Sequence, residues 1–153
     1  MRIAVGTDHA GFPLKEPAIA ELESLGHEVL DLGTDSTEAV DYPDYAQAVG
    51  EAIMRGEAER GLLLCGSGVG ACVAANKVPG VRAATCHDTF SAHQGVEDDD
   101  VNVLCLGARV IGEQLATEVI RAWVQARFSN AERHQRRLGK VKAIEAQYLR
   151  KGD

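Results

Sequence analysis

The sequence predicts an α/β fold in a single domain over residues 1–153: a five-stranded parallel sheet covered on both faces by helices, a three-layer αβα sandwich. Two observations and one general rule predict it. Short apolar runs alternate with stretches of helical periodicity from end to end, and parallel neighbours need a crossover of that kind. Right-handed crossovers then set helices on both faces of the sheet. Finally, Leu62, Leu63 and Leu64 form an unbroken apolar run, as in a strand buried on both sides. A chain of 153 residues can bury a core of its own, and no linker, low-complexity segment or internal repeat divides it.

Arg2 to Gly6 is the first strand, and the turn Asp8-His9-Ala10-Gly11 leads to Pro13, whose missing N–H costs nothing at the start of a helix. Leu14, Ala18, Leu22 and Leu25 recur at helical spacing until Gly26 stops the helix. His27 to Leu32 is the second strand. A polar loop from Gly33 to Asp41 follows, and Tyr42-Pro43-Asp44 opens a helix through Ala46, Val49 and Ile53 to Arg55. The third strand holds the three leucines, and its helix runs through Ala71, Val73, Ala74 and Ala75. Val81 to Cys86 is the fourth strand, Ser91 to Val96 a short helix, and Asn102 to Leu106 the fifth strand. After Gly112 a long helix carries Leu115, Val119, Ile120 and Trp123, and a last one spans Asn130 to Leu149. That last helix has no strand to cover after it. With Trp123 and Phe128 near it, it is expected to pack against a second copy of the chain.

Composition excludes several classes. The formal net charge of −7 argues against a nucleic-acid surface, which needs a basic stripe. The N-terminus goes straight into a strand with no basic lead or apolar leader, and no apolar run is long enough to span a bilayer, so a cytoplasmic protein away from membranes is expected. Cysteines at 65, 72, 86 and 105 form no CxxC pair, which makes disulfides and a zinc site poor expectations. Cys72, Cys86 and Cys105 fall within elements and read as core.

Ligands of such sheets bind outside the carboxyl ends of the strands. That edge is where Asp8 and His9, Cys65 to Gly70, His87 and Asp88, and Arg109 fall. Between the third strand and its helix, Gly66, Ser67, Gly68, Val69 and Gly70 let main-chain N–H groups converge, a setting for negative charge at a helix N-terminus. Cys65, at its mouth, can ionise and remove a proton or attack carbon. On its own it reads more readily as a small buried strand residue; the glycine loop beside it is what favours the base. Gly66, Gly68 and Ala71 also satisfy GxGxxG/A, with Asp88 at the distance of a ribose-binding carboxylate, so a dinucleotide-binding module is a competing reading. Against it, that fingerprint normally follows the first strand, and the first turn here is the polar Thr7-Asp8-His9. No GxxxxGK[ST] is present.

The combination GTDHAG at 6–11, YPDYA at 42–46, CGSGVG at 65–70, AANK at 74–77, NVLCLGARVIG at 102–112 and RHQRR at 133–137 resembles the ribose-5-phosphate isomerase B family and its galactose- and allose-6-phosphate relatives. The likeness covers almost the whole chain. It implies a Rossmann-like fold and an aldose–ketose isomerase of phosphosugars that uses no metal or other cofactor. It also implies a homodimer, sometimes a dimer of dimers, with each active site built from two subunits.

By this resemblance the expected reaction interconverts ribose 5-phosphate and ribulose 5-phosphate, with Cys65 as the base that moves a proton between C1 and C2 through a cis-enediolate. A helix dipole and nearby N–H groups would stabilise its thiolate. One subgroup of the family has Ser at this position and Glu at that of Ala71, which cannot take a proton here. Ser67 would shuttle protons between the two substrate oxygens, and the N–H groups of residues 66 to 70 would hold the enediolate. Asp8 would hold sugar hydroxyls or help open the ring, and Tyr42 would line the sugar pocket. His9, Arg109, Arg133 and Arg137 are the candidate phosphate cations. The last two stand four apart on one helix face and would reach over from the partner subunit, while Arg136 breaks that spacing and reads as surface.

One departure is informative. Where the family carries a histidine that opens the furanose, this chain has Asp98, within Glu97-Asp98-Asp99-Asp100, and Asp99 beside it is placed with the substrate-binding residues. An ordinary aspartate, with a pKa of about 3.9, is almost wholly ionised near neutrality, unlike histidine. Several readings stay open. Asp98 could serve as the acid if burial raised its pKa. His93, or less readily His87, could replace it. The substrate could need no ring opening, as with a linear tetrose 4-phosphate, or could be another phosphosugar such as allose or galactose 6-phosphate. Or the substitution, natural or engineered, simply lowers activity on ribose 5-phosphate.

Overall fold

The computed structural model describes residues 1–149; the tail from Arg150 to Asp153 lies outside the described residues. Five strands form one sheet: β1 (Arg2–Thr7), β2 (Glu28–Asp31), β3 (Arg60–Cys65), β4 (Ala83–Thr85) and β5 (Val103–Gly107). Their order is β2-β1-β3-β5-β4, and every pairing is parallel. The helices are α1 (Lys15–Ser24), α2 (Tyr42–Met54), α3 (Val69–Ala75), α4 (Thr89–Asp99), α5 (Glu113–Gln125) and α6 (Glu132–Tyr148). Pro13 sits in a 3-10 turn, Phe12–Leu14, that leads into α1.

Each sheet face has its own core, which follows from the period of two along the strands. Ile3, Val5, Leu62, Leu64, Leu104 and Leu106 face α1, α4 and α5. Ala4, Leu63, Cys65, Val103 and Cys105 face α2 and α3. The three leucines are thus shared between two cores, as a strand buried on both sides requires.

Three expectations change. Trp123 is fully buried within the α1–α4–α5 core, with Arg60 stacked over its ring at 5.6 Å, so it belongs to this chain's interior and not to an outward face. The helix expected over 91–96 extends over 89–99: Asp88 caps its start by accepting the Ser91 N–H at 2.7 Å, and the acidic run is its last turn. The fourth strand is shorter, because it is an edge strand whose start is tied to side chains. Asn76 mimics a neighbouring strand, donating to Ala83 O at 3.0 Å and accepting from Ala83 N at 2.8 Å. Asn102 Oδ1 accepts from Arg82 N at 2.7 Å.

Candidate active site

The strand order reverses between β1 and β3, where α1 and α2 leave on opposite faces. At the carboxyl ends of β1, β3 and β5 lies a cavity of about 390 Å³ that collects Asp8, His9, Tyr42, Cys65, Ser67 and Arg109, with Gly66 and Gly70 in its wall. A wider groove of about 990 Å³ runs along α1, but proline, glutamate and apolar residues line most of it, with no cysteine, histidine or arginine. Size alone does not make a site. The smaller cavity holds the acid–base groups, at the place where doubly wound sheets bind ligands.

Its floor is the glycine loop. Cys65 ends β3 and is almost wholly buried, and its Sγ accepts the main-chain N–H of Gly68 at 3.1 Å. Gly68 adopts φ +79°, the left-handed conformation that lets the loop fold back over the sulfur. Ser67 Oγ accepts the Val69 N–H at 3.2 Å. Two of the five expected oxyanion donors are therefore engaged by the loop's own side chains. With only seven residues, α3 adds little macrodipole, so the individual N–H groups carry the electrostatics. Gly70 is small because the Tyr42 ring lies on it: a Cβ there would stand 2.8 Å from Tyr42 Cζ.

The other walls are fixed by main-chain contacts. Asp8 is buried and accepts the Gly11 N–H at 2.9 Å through Oδ1, which closes the turn after β1. His9 Nδ1 accepts the Val40 N–H at 3.1 Å. In the neutral ring this puts the proton on Nε2, free to donate. Arg109 N donates to Gly66 O at 3.0 Å, and its guanidinium lies over Gly66, with Nη1 3.4 Å from where a Cβ would be.

Asp98, Asp99, Arg133 and Arg137 are not in this cavity; they lie on α4 and α6. Asp98 Oδ2 accepts from Gln94 Nε2 at 2.7 Å, and Oδ1 faces His134 Nε2 at 3.4 Å. His134 is buried, with Ser129 Oγ 2.6 Å from its Nδ1, while Arg133 and Arg137 are exposed on the same helix. Asp99 lines a groove of about 500 Å³ between the β4 edge and α6. Arg136 pairs with Glu132 at 2.7 Å, as a surface residue would. His93 turns to Glu97 at 3.1 Å and His87 accepts the Gly107 N–H at 2.9 Å; neither lines the cavity. Asp88, the carboxylate that the dinucleotide reading needs, is spent as the cap of α4.

Sequence reasoning missed three features. His134 is the inward residue of a segment read for its arginines. His87 holds the end of β5. Cys72 is half-buried rather than core, and hydrogen bonding from Cys105 and then Thr85 pulls its thiol down to about 6 against the effect of burial. Burial raises Cys86 to about 11, and the bond to Cys72 together with burial pushes Cys105 well up. Among the described residues, no cluster of three or more His, Cys, Asp or Glu could hold a metal ion, and no helix is long and apolar enough to cross a membrane.

Residues 3–141 match the family profile described as Ribose/Galactose Isomerase. The chain is 45% identical over 144 residues to ribose-5-phosphate isomerase B of Escherichia coli, covering 94% of this chain and 96% of that one. It is 46% identical over 129 residues to D-erythrulose-4-phosphate isomerase of Pectobacterium atrosepticum, covering 84% and 85%. The solved structure of Clostridium thermocellum ribose-5-phosphate isomerase B superposes with a TM-score of 0.94 at 44% identity, over 97% of this chain and all of that one.

Proposed function

From the premise that the chain belongs to the ribose/galactose isomerase family and is an isomerase of phosphosugars, we propose that it interconverts an aldose and a ketose with Cys65 as the carbon base. One observation carries the reading: Cys65, Ser67 and Asp8 meet in one cavity with His9 and Arg109, so acid–base groups and phosphate cations share a space of sugar-phosphate size. The Cys65 thiolate takes the C2 proton of the open-chain aldose and returns it to C1. Ser67 carries the hydroxyl proton from O2 to O1, so the net change is one proton moved on carbon and one on oxygen. Main-chain N–H groups of residues 66 to 70 stabilise the enediolate, and substrate must displace the loop's own bonds at Gly68 and Val69 to use theirs. His9 Nε2–H and Arg109 meet the phosphate. Cys65→Ala is expected to lose about a hundred- to ten-thousand-fold in kcat while still binding substrate. Full activity in that variant would sink the proton-transfer scheme.

The cation set is completed in this reading by Arg133 and Arg137 of a second copy. The support is that they stand exposed on α6, outside the cavity, beside exposed Val141, Ile144 and Tyr148.

The substrate turns on Asp98. Its carboxylate is occupied as an acceptor by Gln94 and faces His134, which favours a substrate that needs no ring-opening acid. A tetrose 4-phosphate cannot close a furanose, and the Pectobacterium relative is named for such a substrate. Ribose 5-phosphate is the second reading, supported by the names of the Escherichia coli and Clostridium relatives. Turnover of erythrose 4-phosphate and ribose 5-phosphate, measured side by side for the native chain and Asp98→His, separates them. The tetrose reading expects a native preference for erythrose 4-phosphate and a gain in Asp98→His confined to ribose 5-phosphate. Equal high native rates on both sugars would make the chain a ribose-5-phosphate isomerase that opens the ring by another group.

A further inference from the structure

His87 follows β4 at the same sheet edge as the cavity, and its Nε2 accepts the Gly107 N–H at 2.9 Å. An accepting Nε2 requires the neutral imidazole with its proton on Nδ1. Gly107 pairs with Cys65 in the β3–β5 ladder, and a Cβ on it would lie 2.5 Å from the Ser67 carbonyl carbon, so this end of β5 has no slack against the glycine loop. The next two residues continue the closure: Ala108 N donates to Cys65 O at 2.8 Å and Arg109 N to Gly66 O at 3.0 Å. Two residues before His87, Thr85 Oγ1 donates to Gly68 O at 2.7 Å. One short stretch, the end of β4 and the two residues after it, thus grips the glycine loop with Thr85 and the Arg109 turn with His87. Neither side chain lines the cavity, so each acts through the main chain that it holds.

We propose that His87 is a positioning residue of the isomerase: in its neutral form it holds the Gly107–Arg109 turn in register with Cys65 and Gly66, and on protonation it releases that turn. The inference rests on the reading in which Arg109 meets the substrate phosphate. A protonated ring would set N–H against N–H, turning the Gly107 contact from a bond into a repulsion. Burial lowers the pKa of His87, which keeps the holding form in place near neutrality, and Asp88 opposes this more weakly. Asp88 is the charged group that bears on the ring. It is itself held by Ser91, and His93 of α4 acts on it. Cys86, the preceding residue, is a neutral thiol; from the β5 side the contact is the main chain of Gly107, with Arg109 two residues on.

The test compares the full-length wild type with His87→Gln and His87→Leu. The glutamine carbonyl can accept the Gly107 N–H at every pH, whereas leucine cannot accept it at all. As pH falls from about 7.5 to about 4.5, below the ordinary histidine range because burial holds the ring neutral, the wild-type KM is expected to rise about fivefold to tenfold more than that of His87→Gln, the loss of one hydrogen bond at the turn. Ionisation of the substrate phosphate, with a pKa of about 6, contributes equally to both and cancels in the comparison. His87→Leu is expected to show the raised KM at all pH values with kcat less affected. A second readout needs no substrate: the Gly107 amide resonance titrates with His87 in the wild type and is flat in His87→Gln. Superimposable KM profiles, or a Gly107 amide that does not titrate in the wild type, would overturn the proposal. If no phosphosugar is turned over, the functional reading fails while the amide titration still decides the role of His87.

Discussion

Replacing Gly107 by alanine tests whether the end of β5 sets the geometry of the Cys65 loop. The added methyl would lie 2.5 Å from Ser67 C and 2.7 Å from both Ser67 Cα and Ser67 O, all of it backbone that cannot rotate away. Ordinary contact begins at 3.4 Å, so the loop must retreat by 3.4 − 2.5 = 0.9 Å. The strand side cannot yield, because Gly107 is held on one edge by Cys65 and on the other by His87. A displacement of about 1 Å at reacting groups costs about a hundredfold in rate. Overpacking of this kind costs about 1–3 kcal/mol of stability, which a domain of this size survives. The assay is kcat and KM on erythrose 4-phosphate and ribose 5-phosphate, with urea unfolding to verify that the variant is folded. Gly112→Ala, where an added Cβ meets nothing within 4 Å, is the control and should match wild type. A folded Gly107→Ala enzyme with kcat near wild type would refute the claim that this close approach positions Ser67.

Two further predictions concern groups away from the cavity. At pH 7 iodoacetamide should label Cys72 before Cys65, since Cys72 is half-buried with a thiol near 6 while Cys65 is almost wholly enclosed; peptide mapping that finds Cys65 modified first would contradict this. Lys15→Met should lower Tm by about 4–8 °C, from roughly 2 kcal/mol, because Lys15 Nζ donates to the buried Thr34 O at 2.8 Å and pairs with Asp31 at 2.9 Å, the mostly exposed Asp35 adding little. Burial alone would lower the Lys15 pKa, but hydrogen bonds to Asp31 and Asp35 raise it overall, so its stabilisation is complete below 10.5 and is lost only as pH rises through the higher folded value.

The architecture was legible because period and punctuation agree along the chain. The leucines of β3, the positive-φ Gly26 after α1 and the glycine loop each have one conformational use. What misled was local sequence with a tertiary purpose. Trp123 looks like an outward anchor on a late helix, yet it fills the core beneath Arg60, whose guanidinium donates to Trp123 O at 2.9 Å and Ala126 O at 2.7 Å, satisfying the carbonyls at the end of α5. The apolar periodicity that predicts a helix stops at Val96, before the acidic run, but the helix continues to Asp99, and Asp100 ends it in a left-handed conformation with Arg82 paired to its carboxylate at 3.0 Å. At the site, the residues with intrinsic chemistry could be named from sequence. The groups that aim them could not: the partners of His87, His134 and Val40 are set by contacts between segments about five to thirty residues apart, which carry no local signal.

The division of the candidate residues between two surfaces leads to a test of how the site is completed. Cys65, Ser67, His9 and Arg109 share the cavity, while Arg133 and Arg137 stand on α6 outside it. Two guanidinium groups there could serve a phosphate only if another copy brings its cavity to them. The stripe of Val141, Ile144 and Tyr148 on the same helix, with Val69 and Val73 exposed on α3, offers the apolar area that such a contact would bury. In a two-fold dimer each cavity would then combine the loop of one copy with α6 of the other. Cys65→Ala and an Arg133→Met/Arg137→Met variant should each be nearly inactive alone. After joint unfolding and reassociation about half of the dimers are mixed, and in each of these one site has lost both elements while the other has regained both. About a quarter of the wild-type activity should therefore return in the mixture. If each chain used its own arginines, every site would carry one defect and the mixture would stay as inactive as its components.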